Sequence, residues 1–233
     1  MTENALVSAE EVVKVYRVDS QETRALRELS LEVRQGDFLA LVGPSGSGKT
    51  TLLNLIGALD TATSGRLTVL GRDLAFMNRR ERAALRLRSL GFVFQAYNLI
   101  PVLSALENVE FVLELQGVGA ERRVRATAVL EEMGMADFLH RRANQLSGGQ
   151  QQRVAVARAI AARPRLVLAD EPTANLDSAN AEQLMNMMRE LRDKHAMTFI
   201  FSTHDARVVE HAARVVTLRD GQVVGDESRP AGA

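Results

Sequence analysis

GPSGSGKTT, Gly43 to Thr51, is the stretch that decides the fold. Gly43, Gly48, Lys49 and Thr50 carry the P-loop spacing: glycine, four variable residues, glycine-lysine, then a hydroxyl residue. FLALV (Phe38 to Val42) precedes it, a short apolar run that suits a buried strand, and TLLNLIGAL follows, apolar and free of proline, which suits a helix. The motif therefore sits on a strand-to-helix turn, the context it needs. Glycine lets backbone N–H groups turn inward around phosphate oxygens, and the helix N-terminus adds partial positive charge. Pro44, Ser45, Gly46, Ser47 and Thr51 complete the loop. In this arrangement Lys49 reaches the β- and γ-phosphates of a nucleotide and the Thr50 hydroxyl ligates Mg²⁺.

The chain has 233 residues, 46% hydrophobic and 25% charged, as expected of a globular α/β protein with a sizeable core. Its 29 basic and 29 acidic residues balance, so no global field draws it to nucleic acid or to an anionic membrane. With no cysteine, disulfides, thiol catalysis and thiolate metal sites are excluded. The acidic start MTENALVSAEE is no signal segment, and no apolar run has the length of a membrane helix. The expected location is the cytoplasm, with any membrane contact made through a partner.

Upstream of the P-loop, Leu6 to Val18 and Ala25 to Val33 read as strands without a helix between them, an antiparallel patch beside the main sheet. Tyr16 is the aromatic there that can either stack on a base or pack within its strand. Downstream, Gly65 to Leu70 reads as a strand. Asn78 to Leu90 is a basic helix, either a solvated face or a contact with lipid headgroups or a membrane partner. GFVFQ (Gly91 to Gln95) is a strand delivering the Gln95 amide to the edge where open α/β sheets bind ligands. From about 96 to 150 the periodicity is helical, with Leu106, Val109 and Leu113 on one face and a second helix over Glu121 to Met133. This predicts a helical subdomain inserted in the α/β core.

LSGGQ (Leu146 to Gln150) opens a helix expected to run to Pro164, with Ser147 as N-cap; Gly148 and Gly149 leave its N-terminus open to an anion. RLVLAD (Arg165 to Asp170) is an apolar strand ending in Asp170 and Glu171. Beside a P-loop this is a Walker B arrangement, with Asp170 assisting Mg²⁺ and Glu171 placed to polarise an attacking water. Asn175, Leu176 and Asp177 form a turn before a helix over Ser178 to Lys194, where Met185, Met187 and Met188 fill core. Met197 to Thr203 is a buried strand ending at His204. His140, His195 and His211 have no comparable setting. Val215 to Val224 reads as a hairpin, and residues 229–233 as a loose tail.

With GPSGSGKTT, Gln95, LSGGQ, LVLADEP, Asn175-Leu176-Asp177 and His204 in this order, nearly the whole chain resembles an ABC ATPase. The longer strings GFVFQAYNLIP, SALENVE and LADEPTANLDS are similar to the branch of lipoprotein-releasing and macrolide-export ATPases, with the cell-division ATPase close by. Ala143 and Ala174 depart from the proline and glycine frequent there. The resemblance implies one α/β domain over 1–228, a P-loop NTPase core of RecA type with the antiparallel patch and the inserted helices. It implies that Tyr16 stacks on adenine, that Gln95 approaches Mg²⁺ and the attacking water and senses a permease, that Glu171 is the catalytic base and that His204 holds the γ-phosphate. It further implies that two copies dimerise head to tail on ATP, each lending Ser147 to Gln150 in trans, with Asn175 to Asp177 at the dimer contact. The dimer would drive a separately encoded membrane permease from the cytoplasmic face of the membrane. The rivals are ATP-driven signalling to an enzyme outside the cell and a soluble role on chromosomes or ribosomes. The second lacks support: the insertion is short, the cassette single and the charge neutral.

Overall fold

The computed structural model describes residues 5–18 and 21–229. Two sheets share the chain. β1 (Ala5–Val18) and β2 (Gln21–Arg34) pair antiparallel, and after β3 (Phe38–Val42), α1 (Lys49–Ile56) and β4 (Ser64–Val69) the chain adds β5 (Arg72–Asp73), giving an antiparallel sheet of order β2-β1-β4-β5. The second sheet uses β3, β6 (Leu90–Val93), β7 (Leu166–Asp170), β8 (Thr198–Ser202), β9 (Arg214–Arg219) and β10 (Gln222–Ser228) in the order β10-β9-β3-β8-β7-β6. Its strands run parallel except for the terminal β9–β10 hairpin.

The parallel strands are apolar throughout because both faces are covered, and alternate residues feed two cores. Phe38, Ala40, Val167, Ala169, Phe199 and Phe201 face one core. α3 (Ala105–Leu115), α4 (Arg122–Glu132), α5 (Gly148–Ala161) and α6 (Ser178–His195) fill it. The rings of Phe199 and Phe201 meet Phe38 edge-on at 5.5 and 4.7 Å, and each fully buried ring contributes about 1.5–3 kcal/mol by leaving water. Leu39, Leu41, Leu166, Leu168 and Ile200 face the other core, shared with α1, the antiparallel sheet and Leu85 of α2 (Arg79–Ser89). Met185 and Met188 are buried core, with Met187 packed at its margin.

Three sequence-based boundaries move. β6 stops at Val93, so Gln95 lies beyond the strand rather than at its last position. α5 ends at Ala161, short of Pro164, because the residue before a proline is pushed out of the helical region. Arg229, expected in the tail, donates its backbone N–H to the Ala213 carbonyl at 2.8 Å; residues 230–233 lie outside the described residues.

The far end of the loop after β6 is pinned by Asn108. Asn108, 1% exposed on α3, accepts from the Ile100 N–H at 2.8 Å and donates to the carbonyls of Ser104, Leu103 and Ile100 at 2.9, 3.3 and 3.2 Å. Asn108→Ala orphans those buried groups. It is expected to lower stability by about 1–3 kcal/mol in urea unfolding and to raise hydrogen exchange at the Ile100 amide. Unchanged protection at Ile100 would show that the loop is held elsewhere.

Candidate active site

Four strand ends deliver the site, all at the carboxyl edge of the parallel strands, where α/β sheets bind ligands. β3 leads into the P-loop, β6 into Gln95, β7 into Asp170 and Glu171, and β8 into His204. The register sets them side by side: Val93 pairs with Ala169, and Asp170 with Ser202. The result is a cleft of about 670 Å³ lined by the P-loop from Gly43 to Thr51, by Tyr16, Gln95, Glu171 and His204, and by Ala25 of β2.

The P-loop has the backbone that its glycines allow. Gly43, at φ 148°, sits so close to the chain that an added Cβ would lie 2.1 Å from the Leu218 carbonyl oxygen, and Gly48, at φ 103°, would bring one within 2.7 Å of the Ala25 carbonyl. The loop is tied to the β9–β10 turn, where the Gly221 N–H donates to the Ser47 carbonyl at 3.1 Å. Lys49 is buried and its ammonium donates to the carbonyls of Gly43 and Pro44 at 2.7 and 3.0 Å. The Ser47 hydroxyl is buried without a hydrogen-bond partner. A cradle with an ammonium folded onto its own carbonyls and a spare hydroxyl fits an incoming polyphosphate.

At the end of the loop, the Thr50 hydroxyl donates to Asp170 Oδ1 at 3.3 Å, and the Ser202 hydroxyl donates to the same oxygen. These are hard oxygen donors of the kind Mg²⁺ takes together with substrate phosphates. Among the described residues no cluster of three or more His, Cys, Asp and Glu could hold an ion alone, so phosphate oxygens would complete the shell. Glu171 stands in the left-handed region at φ 48°, a strained setting for a side chain of its size and one that clusters at functional sites. Its N–H donates to the Ser202 carbonyl at 3.1 Å, and its Oε1 lies 2.8 Å from His204 Nδ1. The His204 side chain is 74% exposed toward the cleft and Glu171 only 17%.

Ser147, Gly148, Gly149 and Gln150 are not part of this cleft. Ser147 caps α5 through a capping box, accepting from the Gln150 N–H at 3.3 Å while Gln150 Oε1 accepts from the Ser147 N–H at 2.8 Å. The two glycines lie close to side-chain ends: added Cβ atoms would lie 2.8 Å from the Tyr97 hydroxyl and 3.1 Å from Asn180 Oδ1. Asp177 caps α6, accepting from the Asn180 N–H at 2.9 Å, and that bond holds its carboxyl below the ordinary range. Asn175 donates its amide to the Gln95 carbonyl at 2.9 Å.

Several groups at the site escape a reading of the sequence. Ser202 is one apolar-strand residue among five until the register sets it opposite Asp170. Arg158 sits in the last turn of α5 and donates to the carbonyls of Tyr97 and Asn98 at 3.0 and 2.5 Å; burial pushes its guanidinium pKa down. The link from Asn175 to Gln95 joins residues far apart in the chain and leaves no local signal.

Residues 26–174 match the model of the ABC transporter family. A lipoprotein-releasing system ATP-binding protein LolD of Anaeromyxobacter dehalogenans is 47% identical over 217 residues, 92% of this chain and 91% of that protein. A macrolide export ATP-binding/permease protein MacB of Syntrophobacter fumaroxidans is 46% identical over 230 residues, 97% of this chain but 32% of that longer protein. Among solved structures, the ATP-binding cassette MJ0796, a dimer in a post-hydrolysis state bound to ADP and Pi, superposes with a TM-score of 0.90 at 40% identity, covering 97% of this chain and all of that one. A P-loop cleft with a paired Glu171 and His204, a matching family model and relatives similar over their full cassettes together place this chain in the ABC transporter family, as an ATP-hydrolysing ATP-binding cassette.

Proposed function

We propose that two copies of this cassette, each one domain over residues 1–228 with a helical subdomain at about 96–150, close head to tail around two ATP molecules and drive a membrane permease in export or lipoprotein release. The observation that carries this is the split site: the P-loop, Gln95, Glu171 and His204 share one cleft, with Asp170 joined to it through Thr50, and Ser147 to Gln150 are absent from it. A second copy supplies the missing helix N-terminus in an isologous pair. Each residue then has a task. Tyr16 stacks on the adenine. The P-loop amides, Lys49 and the partner's signature bind the triphosphate and stabilise charge on the transferring phosphoryl group. Thr50, Asp170 and Gln95 would hold Mg²⁺, which would screen phosphate charge when bound. Glu171 accepts the proton of the attacking water, and His204 orients Glu171 and reaches the γ-phosphate. Phosphate release from ATP by the purified chain tests the assignment; Lys49→Ala should abolish it, and hydrolysis surviving that change would overturn it.

The contact for the permease is a groove of about 420 Å³ walled by Leu59, Leu87, Phe92, Phe94, Ile100 and Phe111. It joins the loop that follows Gln95, so a permease segment seated there acts on the Gln95 amide through a few residues of backbone. Within that loop Leu99 is half-buried against the core while Ile100 lines the groove, so a charge at Leu99 would disturb packing as well as the contact. Phe111, 41% exposed on α3, is the better probe. Phe111→Asp should reduce co-purification with the permease at least about tenfold by placing an unpaired charge at a desolvated contact, and leave ATP affinity of the free subunit unchanged. Normal permease capture by this variant would exclude the groove. The same face would hold the cassette at the cytoplasmic side of the membrane; among the described residues no helix is long and apolar enough to cross one.

A further inference from the structure

Beside the cleft, three side chains from two distant segments form a polar network, and the Thr51 side chain of the P-loop meets its phenol. Tyr16 on β1 donates its hydroxyl to Asp60 Oδ2 at 3.0 Å. Lys14, two residues earlier and only 8% exposed, donates to Asp60 Oδ1 at 2.7 Å and to the Thr61 carbonyl at 2.9 Å, and the Thr61 N–H donates to the same Oδ1 at 2.7 Å. The Lys14 ammonium also lies 4.8 Å from the centre of the Tyr16 ring, over one face. Burial works against ionising Asp60, yet the donors from Lys14, Thr61 and Tyr16 hold its carboxyl below the usual range; burial pushes the Tyr16 phenol up. Both phenol and carboxylate thus keep the forms that bond to each other.

Asp60 follows α1 but folds back against it, its N–H donating to the Asn54 carbonyl at 3.3 Å. The Tyr16 phenol that it holds also meets Thr51, in the first turn of the same helix. Whatever Asp60 holds is therefore tied to the helix that carries the P-loop at its N-terminus. We infer that Asp60 and Lys14 are positioning residues for the nucleotide base: through α1 they fix the Tyr16 ring at one spacing from the P-loop, with the cation backing one face and the other face left for the purine. The inference rests on the proposed stacking of Tyr16 on adenine. A merely structural lysine–aspartate pair would need neither the phenol bond on the second carboxylate oxygen nor the ring beneath the ammonium. An aromatic ring pinned at both its edge and its face loses little freedom when a base stacks on it, which is how preorganisation raises affinity.

The test compares two probes on the purified chain, MgATP and inorganic tripolyphosphate, the second sharing the phosphates and lacking the base. Removing Asp60 alone would strand a buried ammonium, so the test variant is Lys14→Met with Asp60→Leu, checked for a cooperative thermal transition. It should bind MgATP about tenfold more weakly, a loss on the scale of base–aromatic stacking, with tripolyphosphate affinity unchanged. The loss should appear in KM, with kcat at saturating ATP retained. Asp60→Asn, whose amide oxygen can take the Lys14 and Thr61 donors while its NH₂ meets the phenol oxygen, should stay within about threefold of the parent. In a Tyr16→Ala background the double change should add no further loss. Equal losses for both probes, or a further loss in that background, would overturn the inference, because Asp60 would then act on the P-loop or on the fold. MgATP affinity unaffected by Tyr16→Ala would overturn the stacking reading itself, whatever the Asp60 variants do.

Discussion

Glu171→Gln is expected to bind ATP normally, to hydrolyse it about 10²–10⁴-fold more slowly and to accumulate as an ATP-bound dimer. The change is isosteric, and the backbone that places the side chain is anchored independently by the bond from the Glu171 N–H to the Ser202 carbonyl. Glutamine can still meet His204, now 2.8 Å away, so the geometry of the pair survives. What disappears is a group able to take a proton from water. The P-loop, Lys49, Thr50 and Asp170 are untouched, so binding is spared and closure around ATP has no exit through product. Phosphate release together with size-exclusion chromatography in ATP measures both halves. Turnover at the parent rate would remove Glu171 from the role of base and leave its strained backbone without a functional account.

The second large effect concerns the split site. Ser147→Asp keeps an N-cap of equal quality, so α5 remains intact, but turns a carboxylate toward the phosphates bound by the other copy. Lys49→Ala removes the ammonium that meets the same phosphates. Each homodimer should lose most of its activity, on the order of a hundredfold. In an equilibrated mixture half the dimers are mixed, and each of those has one site with both defects and one with neither. Activity should then return to about one quarter of the parent value if the two sites act independently. Subunit exchange is verified by mass spectrometry of differently tagged copies. Absence of any recovery once exchange is complete would mean that the signature does not serve its neighbour's ATP, or that one intact site cannot turn over alone; a crosslink between the partner's residue 147 and a γ-azido nucleotide separates the two.

Legibility in the sequence followed the range of the interactions. The strand, P-loop and helix around Lys49 are contiguous, and each part follows from local chemistry: an apolar run, glycines, a helix free of proline. The Walker B strand was legible for the same reason, since Leu166 to Asp170 is apolar until it delivers its acid. The antiparallel placement of β1 and β2 followed from the lack of a helix between them. Long-range pairings were not legible. That Leu99 packs against the core margin while Ile100 lines the groove depends on how Asn108 and Arg158 seize the backbone of the loop, and neither clamp has a sequence signature. Tyr16 could be read as stacking or packing because the residue that orients it, Asp60, lies 44 positions away. Adjacency of Ser202 and Asp170 waits on sheet register. The cleft's outline was thus readable from motifs, while the bonds that hold its parts at fixed distances were not.

The hairpin of β9 and β10 bears on how the cassette comes into being on the ribosome. The P-loop sequence leaves the exit tunnel early, but its Gly43 lies against the Leu218 carbonyl and its Ser47 carbonyl is bonded to the N–H of Gly221. Gly48 and Gly221 also nest against the same Ala25 carbonyl. A nascent chain that has not yet delivered residues 214–228 therefore carries the motif without the walls that shape it. The loop is therefore expected to take its final shape only as the last strands of the cassette are translated, well after its own sequence has emerged.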